Sequence, residues 1–208
     1  MKKIIPVFVA LLLLVGCNGE KGDKVHSVAE DNYSSVQMLK DKLKEGDIIF
    51  HTSKSKQSPL IQYATMSTLS HCGIIVEKKD GLYVLEATGT LCLTPLDQFI
   101  NRGKGKKWCA KRVIDEPIKI KYKHLLGKKY DLSFKKDNNL YYCSELVWYI
   151  YKTQFNIELC DYKKVSNYNL IGLKSKLKKR GINENQLVVA PIDIYNSKKV
   201  YSLERKSY

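Results

Sequence analysis

The sequence predicts an α+β domain in which an antiparallel sheet is packed by helices. Three observations carry this. Short apolar runs, separated by turn residues, follow one another from Asp47 to Ile114. The longest helical stripe comes only afterwards, at Cys143 to Phe155. No regular strand–helix–strand alternation, the mark of a parallel sheet, lies between them. A chain of 208 residues is long enough for one domain with a real core. Its 44% hydrophobic and 27% charged residues are globular usage and exclude a wholly disordered chain.

Taken in order, the chain opens with a positive Lys2-Lys3 and an apolar run from Ile4 to Val15, too short to span a bilayer as a helix and suited to a secretory signal. The run closes in Leu14-Val15-Gly16-Cys17, which resembles a bacterial lipobox. The resemblance implies residues 1–16 as a signal peptide, lipidation of Cys17, and a location in the cell envelope as a membrane-anchored lipoprotein. Residues 17–32 are polar and glycine-containing, with no apolar period, and are expected to form a tether. A single domain is expected over 33–208. Val36, Leu39 and Leu43 stand at helical spacing, with Gly46 as a stop. Asp47 to Phe50 reads as a buried strand and Pro59 to Met66 as a short helix begun by its proline. His71 to Glu77 and Leu82 to Ala87 form a hairpin around Lys78-Lys79-Asp80-Gly81. Leu91 to Leu93 and Trp108 to Ile114 are further strands, separated by a basic loop from Arg102 to Lys107. Leu170 to Arg180 reads as a basic helix, and Leu187 to Ile194 and Val200 to Leu203 as late strands.

Three residues carry the chemistry. Cys143, Leu146, Val147, Ile150 and Tyr151 fall on one helical stripe, so Cys143 begins the buried face at the positive end of the helix. A thiol there is stabilised as thiolate by the end dipole and the unpaired N–H groups. The bland alternative is a cysteine that serves as a small apolar side chain. His71 starts a strand beside Gly73, with Cys72 on the opposite face, and is either a general base or a hydrogen-bonded histidine near the surface. Glu86 reaches His71 only in some registers. With Lys78–Gly81 as the turn, Gly73 faces Glu86 and the carboxylate lies diagonally from His71. A two-residue Asp-Gly loop puts Ile75 opposite Glu86, and a three-residue loop turns Glu86 to the wrong face. A carboxylate in the first position can orient the imidazole and stabilise its charged form; otherwise it partners a lysine.

These residues, together with Gly46-Asp47-Ile48-Ile49-Phe50, Ser70-His71-Cys72-Gly73, Leu85-Glu86-Ala87, Tyr130-Asp131-Leu132-Ser133-Phe134 and Tyr142-Cys143-Ser144-Glu145-Leu146-Val147, resemble the YiiX-like cysteine hydrolases. That family groups circularly permuted, papain-fold amidases of the NlpC superfamily. The resemblance implies a permuted papain-like domain with Cys143 as nucleophile, His71 as base and Glu86 as orienting residue. The mechanism expected of such residues is acyl transfer through a thioester, with Tyr142 or Tyr130 either adding a substrate or oxyanion contact or, as tyrosines in this Tyr-rich chain more often do, only packing. The substrate class it suggests is a peptide or peptidoglycan-type amide, with a lipid-dependent acyltransferase or a non-catalytic binder as rivals. Cys72 stands where an aliphatic residue is usual, which fits the opposite, buried face and does not threaten the site.

The formal net charge of +15 favours anionic surroundings. Nucleic acid is not the expected partner, because the export signal removes the usual encounter and aromatics do not interleave with the basic runs. His26, His51, His71 and His124 are scattered, and neither a metal-ligand spacing nor a Walker loop occurs, so no metal and no cofactor are expected. Cys72, Cys92, Cys109 and Cys160 leave three disulfide pairings open, and the oligomeric state is not legible.

Overall fold

A computed structural model describes residues 39–203. The expected signal peptide, Cys17, the expected tether and Val36 lie outside the described residues.

Apolar β-branched runs make the sheet. Strand β1 is Ile48–His51, and all four of its residues are buried. It is followed by helix α1 (Ser58–Thr65), with Pro59 in its first turn. Strands β2 (His71–Lys78), β3 (Gly81–Ala87) and β4 (Leu91–Pro95) form a meander. Helix α2 (Leu96–Arg102) leads to β5 (Trp108–Arg112), and β8 (Tyr201–Ser202) closes the far edge. The order is β4-β3-β2-β1-β5-β8, and every pairing is antiparallel.

Helix α3 (Cys143–Phe155) packs on one face of this sheet against Ile48, Phe50, Cys72, Ile74 and Leu85. Its stripe of Leu146, Val147 and Ile150 is completely buried, and each such side chain contributes about 1.5–3 kcal/mol by leaving water. Two polar ties fix its pose: Tyr151 donates its hydroxyl proton to the carbonyl of Gly46, and Trp148 Nε1 donates to Cys160 O at 2.8 Å. Gly46 needs its positive φ of 96° and its bareness, because a Cβ there would lie 2.4 Å from Ile118. The neighbouring Asp47 is buried in a bidentate pair with Arg112, both contacts 2.7 Å. The Gly-Asp of the first motif is thus a structural clamp. Helix α2 covers the other face, against Ile49, Ile75, Val84 and Ala110.

A small third cluster forms beyond the sheet, where α4 (Lys174–Lys179) brings Leu177 against Val165, Leu173 and Ile182. Two late elements differ from expectation. The basic helix is confined to Lys174–Lys179. Leu187 to Ile194 is not one strand: β7 (Leu187–Val188) pairs only with β6 (Lys163–Lys164), and Pro191 then begins helix α5 (Pro191–Tyr195). Proline lacks the ladder donor but suits a first helical turn, which decides the switch. Helix α2 was not anticipated, since seven residues after Pro95 hold too little period to stand out from a loop.

Candidate active site

The site is built where α3 begins. Tyr142 is extended and caps the helix, and Cys143 is its first residue, with 1% of its surface exposed. Glu145 folds back to accept the backbone N–H of Tyr142, the carboxylate half of a capping box. Its second oxygen is buried without a partner. Burial first, then the charge of Asp131, pushes this carboxyl up to about 8. At neutral pH it is therefore protonated and places no negative charge beside the sulfur.

The thiol of Cys143 is held well below its ordinary range. The hydrogen bond from Cys72 is the largest cause; it outweighs burial and is joined by the hydrogen bond and charge of His71 and by the backbone N–H of Cys72. The helix terminus adds in the same direction. Cys72 does lie on the strand face opposite His71, as alternation requires, but that is the face on which α3 packs. From that buried face it also acts on the nucleophile, a contact the residues alone did not signal. Cys72 and Cys143 are both free thiols, as are Cys92 and Cys160.

His71 is the first residue of β2, at the end of the sheet, where its ring meets the start of α3. Lys78 pairs with Gly81, Glu77 with Leu82 and Ile75 with Val84. This is the register that puts Glu86 diagonally from His71. Glu86 is fully buried; one oxygen lies 2.5 Å from His71 Nε2, and the other accepts from Thr94 Oγ1 at 2.5 Å and from the Arg102 guanidinium. With Nε2 engaged by the carboxylate, Nδ1 is the nitrogen left for the sulfur. Burial works against a charged imidazole here, but hydrogen bonds with Cys143 and Glu86, and their charges, raise His71 to about 9. Burial likewise opposes ionisation of Glu86, yet His71, Arg102 and Thr94 bring it down to about 2. The four groups form a row of alternating charge: guanidinium, carboxylate, imidazolium, thiolate.

One wall of the site is aromatic. His51 pairs across the strands with His71 and stacks on Phe99, with ring centroids 4.2 Å apart. Burial, then the charge of His71, lowers His51 to about 3, so its ring is neutral and leaves a single positive ring beside Glu86. Its Nδ1 has no hydrogen-bond partner.

The Tyr-Asp-x-x-Phe motif is a staple. Asp131 accepts from Ser133 N (2.8 Å), Ser133 Oγ (2.6 Å) and Asn138 Nδ2 (3.0 Å). That turn holds Tyr130 near Cys143; burial, then the sulfur's charge, pushes the phenol up and keeps it protonated. Tyr142 goes elsewhere: its hydroxyl accepts from Val189 N at 3.0 Å. The structure thus brings Cys143, His71, Glu86 and Tyr130 together and turns the Tyr142 hydroxyl to a structural bond. Cys17 lies outside the described residues. Sequence reasoning missed Thr94, Arg102 and the contact of Cys72. Arg102 fell within the expected basic loop, whereas it ends α2 with its guanidinium on Glu86.

Comparison with known proteins gives the family. Residues 42–203 match the family described as permuted papain-like amidase enzymes, YaeF/YiiX, family C92. The chain belongs to this family. It is 33% identical over 173 residues to the YiiX protein of Escherichia coli strain K12, covering 77% of this chain and 86% of that one. A crystal structure of YiiX from Escherichia coli O157:H7, described as a metalloprotein, superposes with a TM-score of 0.70 at 33% identity, covering 76% of this chain and 95% of that chain. Among the described residues of the present chain, no group of three or more His, Cys, Asp or Glu side chains is placed to hold a metal ion. The residues at the site do not fit a metal centre, and no chemical step is derived through one.

Proposed function

We propose that this member of the permuted papain-like amidase family cleaves an amide bond through a thioester on Cys143. The observation that carries the reading is the buried chain Arg102–Glu86–His71, which ends beside Cys143 at a helix start. The thiolate attacks the carbonyl carbon, and the C=O electron pair moves onto oxygen. The Cys143 N–H at the start of α3 and the Tyr130 hydroxyl supply hydrogen bonds to the developing oxyanion in this reading. The tetrahedral intermediate collapses as His71 gives its proton to the leaving amine. His71, now neutral, draws a proton from water, which attacks the thioester and returns the sulfur as thiolate.

The groove beside His71 suits a polar leaving group. It is open, offers about 760 Å³ of space, and is lined by Lys54, Arg102 and Lys129 with Ser53, Ser55 and Thr90. Such a surface fits an amine borne on an acidic peptide of the envelope. The lipobox-like segment supports an anchored lipoprotein whose site meets such substrates at a membrane surface.

The test combines two measurements on the full chain. Iodoacetamide near pH 6.5 should alkylate Cys143 ahead of Cys72, Cys92 and Cys160, with the rate falling tenfold or more in His71→Ala. New amines should be released from envelope peptides by the wild type and not by Cys143→Ala. Equal labelling of all cysteines, or amine release that survives Cys143→Ala, refutes the proposal. Metabolic palmitate labelling lost in Cys17→Ser checks the anchor.

A further inference from the structure

Two stretches of the chain carry charge of one sign only. Between Asp161 and Glu184 stand seven lysines and arginines and no acid, and between Asp47 and Glu77 stand Lys54 and Lys56 and no acid. The fold lays parts of both side by side. Asn169 N donates to Ala64 O at 2.8 Å and Asn169 Nδ2 to Met66 Sδ at 3.5 Å, which ties the turn before α4 to the end of α1. The face so made is an open groove whose cations are Lys56, Lys176, Lys179 and Arg180, with no carboxylate among the residues that line it. Lys174 reaches Glu184 at 3.2 Å, but among the described residues those four cations form no ion pair.

Large apolar side chains project from the same face. Tyr63 and Ile171 line the groove, and Met66 sits where Asn169 joins α1. Ile171 and Met66 are each 77% exposed, more than any other large apolar side chain among the described residues. Apolar groups gathered in one exposed place mark a surface that a partner covers.

The mixture decides the partner. Lysine is depleted at protein interfaces, where its ammonium must give up its water. A bilayer surface takes both kinds of group at once. Anionic headgroups attract the cations, the lysine stems keep their ammonium groups at headgroup level, and the apolar side chains reach the hydrocarbon boundary.

We propose that the face formed by the end of α1, the turn at 169–172 and α4 docks on an anionic lipid bilayer, with Ile171, Met66 and Tyr63 entering it and the cations of the groove on the headgroups. This contact is separate from a lipid on Cys17 and does not depend on the chemistry of Cys143. An anchor on a tether holds a domain near the membrane but leaves its orientation free; the docked face fixes it. Helix α1 carries Tyr63 on this face and Ile61 on the wall of the groove beside His71, so docking also sets how far that groove stands from the lipid.

The test reads where Ile171 sits, so that an anchor elsewhere in the full chain does not answer for it. Ile171→Trp and, at the far edge of the sheet, Tyr201→Trp are each made in the full chain and checked for folding by circular dichroism. Protein is mixed with vesicles of phosphatidylcholine brominated on its acyl chains, with or without about 30% phosphatidylglycerol, and recovered by flotation. Bromine in the acyl chains quenches a tryptophan that reaches the hydrocarbon. On anionic vesicles the emission of Ile171→Trp should shift to the blue and be quenched beyond the wild-type background of Trp108 and Trp148, whereas Tyr201→Trp should show no added quenching. Each cation at the surface is worth about fivefold, so Lys176→Gln, Lys179→Gln and Arg180→Gln together should lower the docked-to-undocked ratio about a hundredfold and abolish the quenching. Floated protein with no added quenching in Ile171→Trp, equal quenching on neutral and anionic vesicles, or quenching that survives the triple change overturns the proposal. So does protein that does not float with anionic vesicles. A soluble acidic polymer, polyphosphate as the probe, that binds the wild type and not the triple variant while Ile171→Trp stays unquenched assigns the face to such a polymer and removes the bilayer.

Discussion

Replacing Glu86 by Gln tests whether the buried carboxylate holds the proton on His71. The rise of His71 from 6.5 to about 9 is worth about 3 kcal/mol, at ~1.4 kcal/mol per pH unit. Among the raising influences, hydrogen bonding with Cys143 is the largest and that with Glu86 the next. Glutamine keeps an acceptor near the position 2.5 Å from Nε2 and removes the charge. It should therefore take roughly half of the effect, about one to two pH units. The assay is a pH titration of the imidazole ¹³Cε1–¹H resonances, with His71 assigned by the signal missing in His71→Gln. The midpoint should move from about 9 in the wild type to roughly 7–8 in Glu86→Gln. The linked stability has a definite sign. The folded value of His71 is above its unfolded value, so its contribution is complete below pH 6.5 and is lost as pH rises through about 9. The wild type's advantage over Glu86→Gln should shrink across that window. A midpoint that stays at about 9, or an advantage that grows with pH, refutes the reasoning.

Two other outcomes follow from the same geometry. Cys72→Val removes the thiol that most lowers Cys143; a hydrogen bond to a charged group is worth about 1.5–3 kcal/mol, so the acid-side midpoint of Cys143 alkylation by iodoacetamide should rise by about one to two pH units. An unmoved midpoint would show that Cys72 only fills space. Glu145 is held protonated up to about 8 in the folded state and loses its proton near 4.5 when unfolded. The wild type should therefore lose stability relative to Glu145→Gln as pH rises from 5 to 8, by at most about 4 kcal/mol in urea unfolding. Parallel pH profiles for the two proteins would contradict the neutral carboxyl.

How far the sequence spoke for the site depends on the periodicity of each element. Cys143 was legible because helical spacing tied it to Leu146, Val147 and Ile150, all fully buried. His71 and Glu86 were legible as a pair only through the turn, since a one-residue change in its length would send Glu86 to the other face. The pairing of Lys78 with Gly81 selected among registers that the residues alone left open. Arg102 and Thr94 gave no signal: an arginine in a run of lysines and a threonine in a strand look like surface until the fold closes them on one carboxylate.

The chain's local pattern thus determined the antiparallel order of its early strands, the long helix and the place of the thiol at that helix's start, because these depend on neighbours a few residues apart. Three matters needed the assembled molecule: which strand register forms, which sheet face the helix covers, and what surrounds the sulfur. Each joins residues distant in sequence, as when Cys72 meets Cys143 or Leu60 and Leu177 line one recess. Such contacts are set by packing across elements, and no short-range period encodes them.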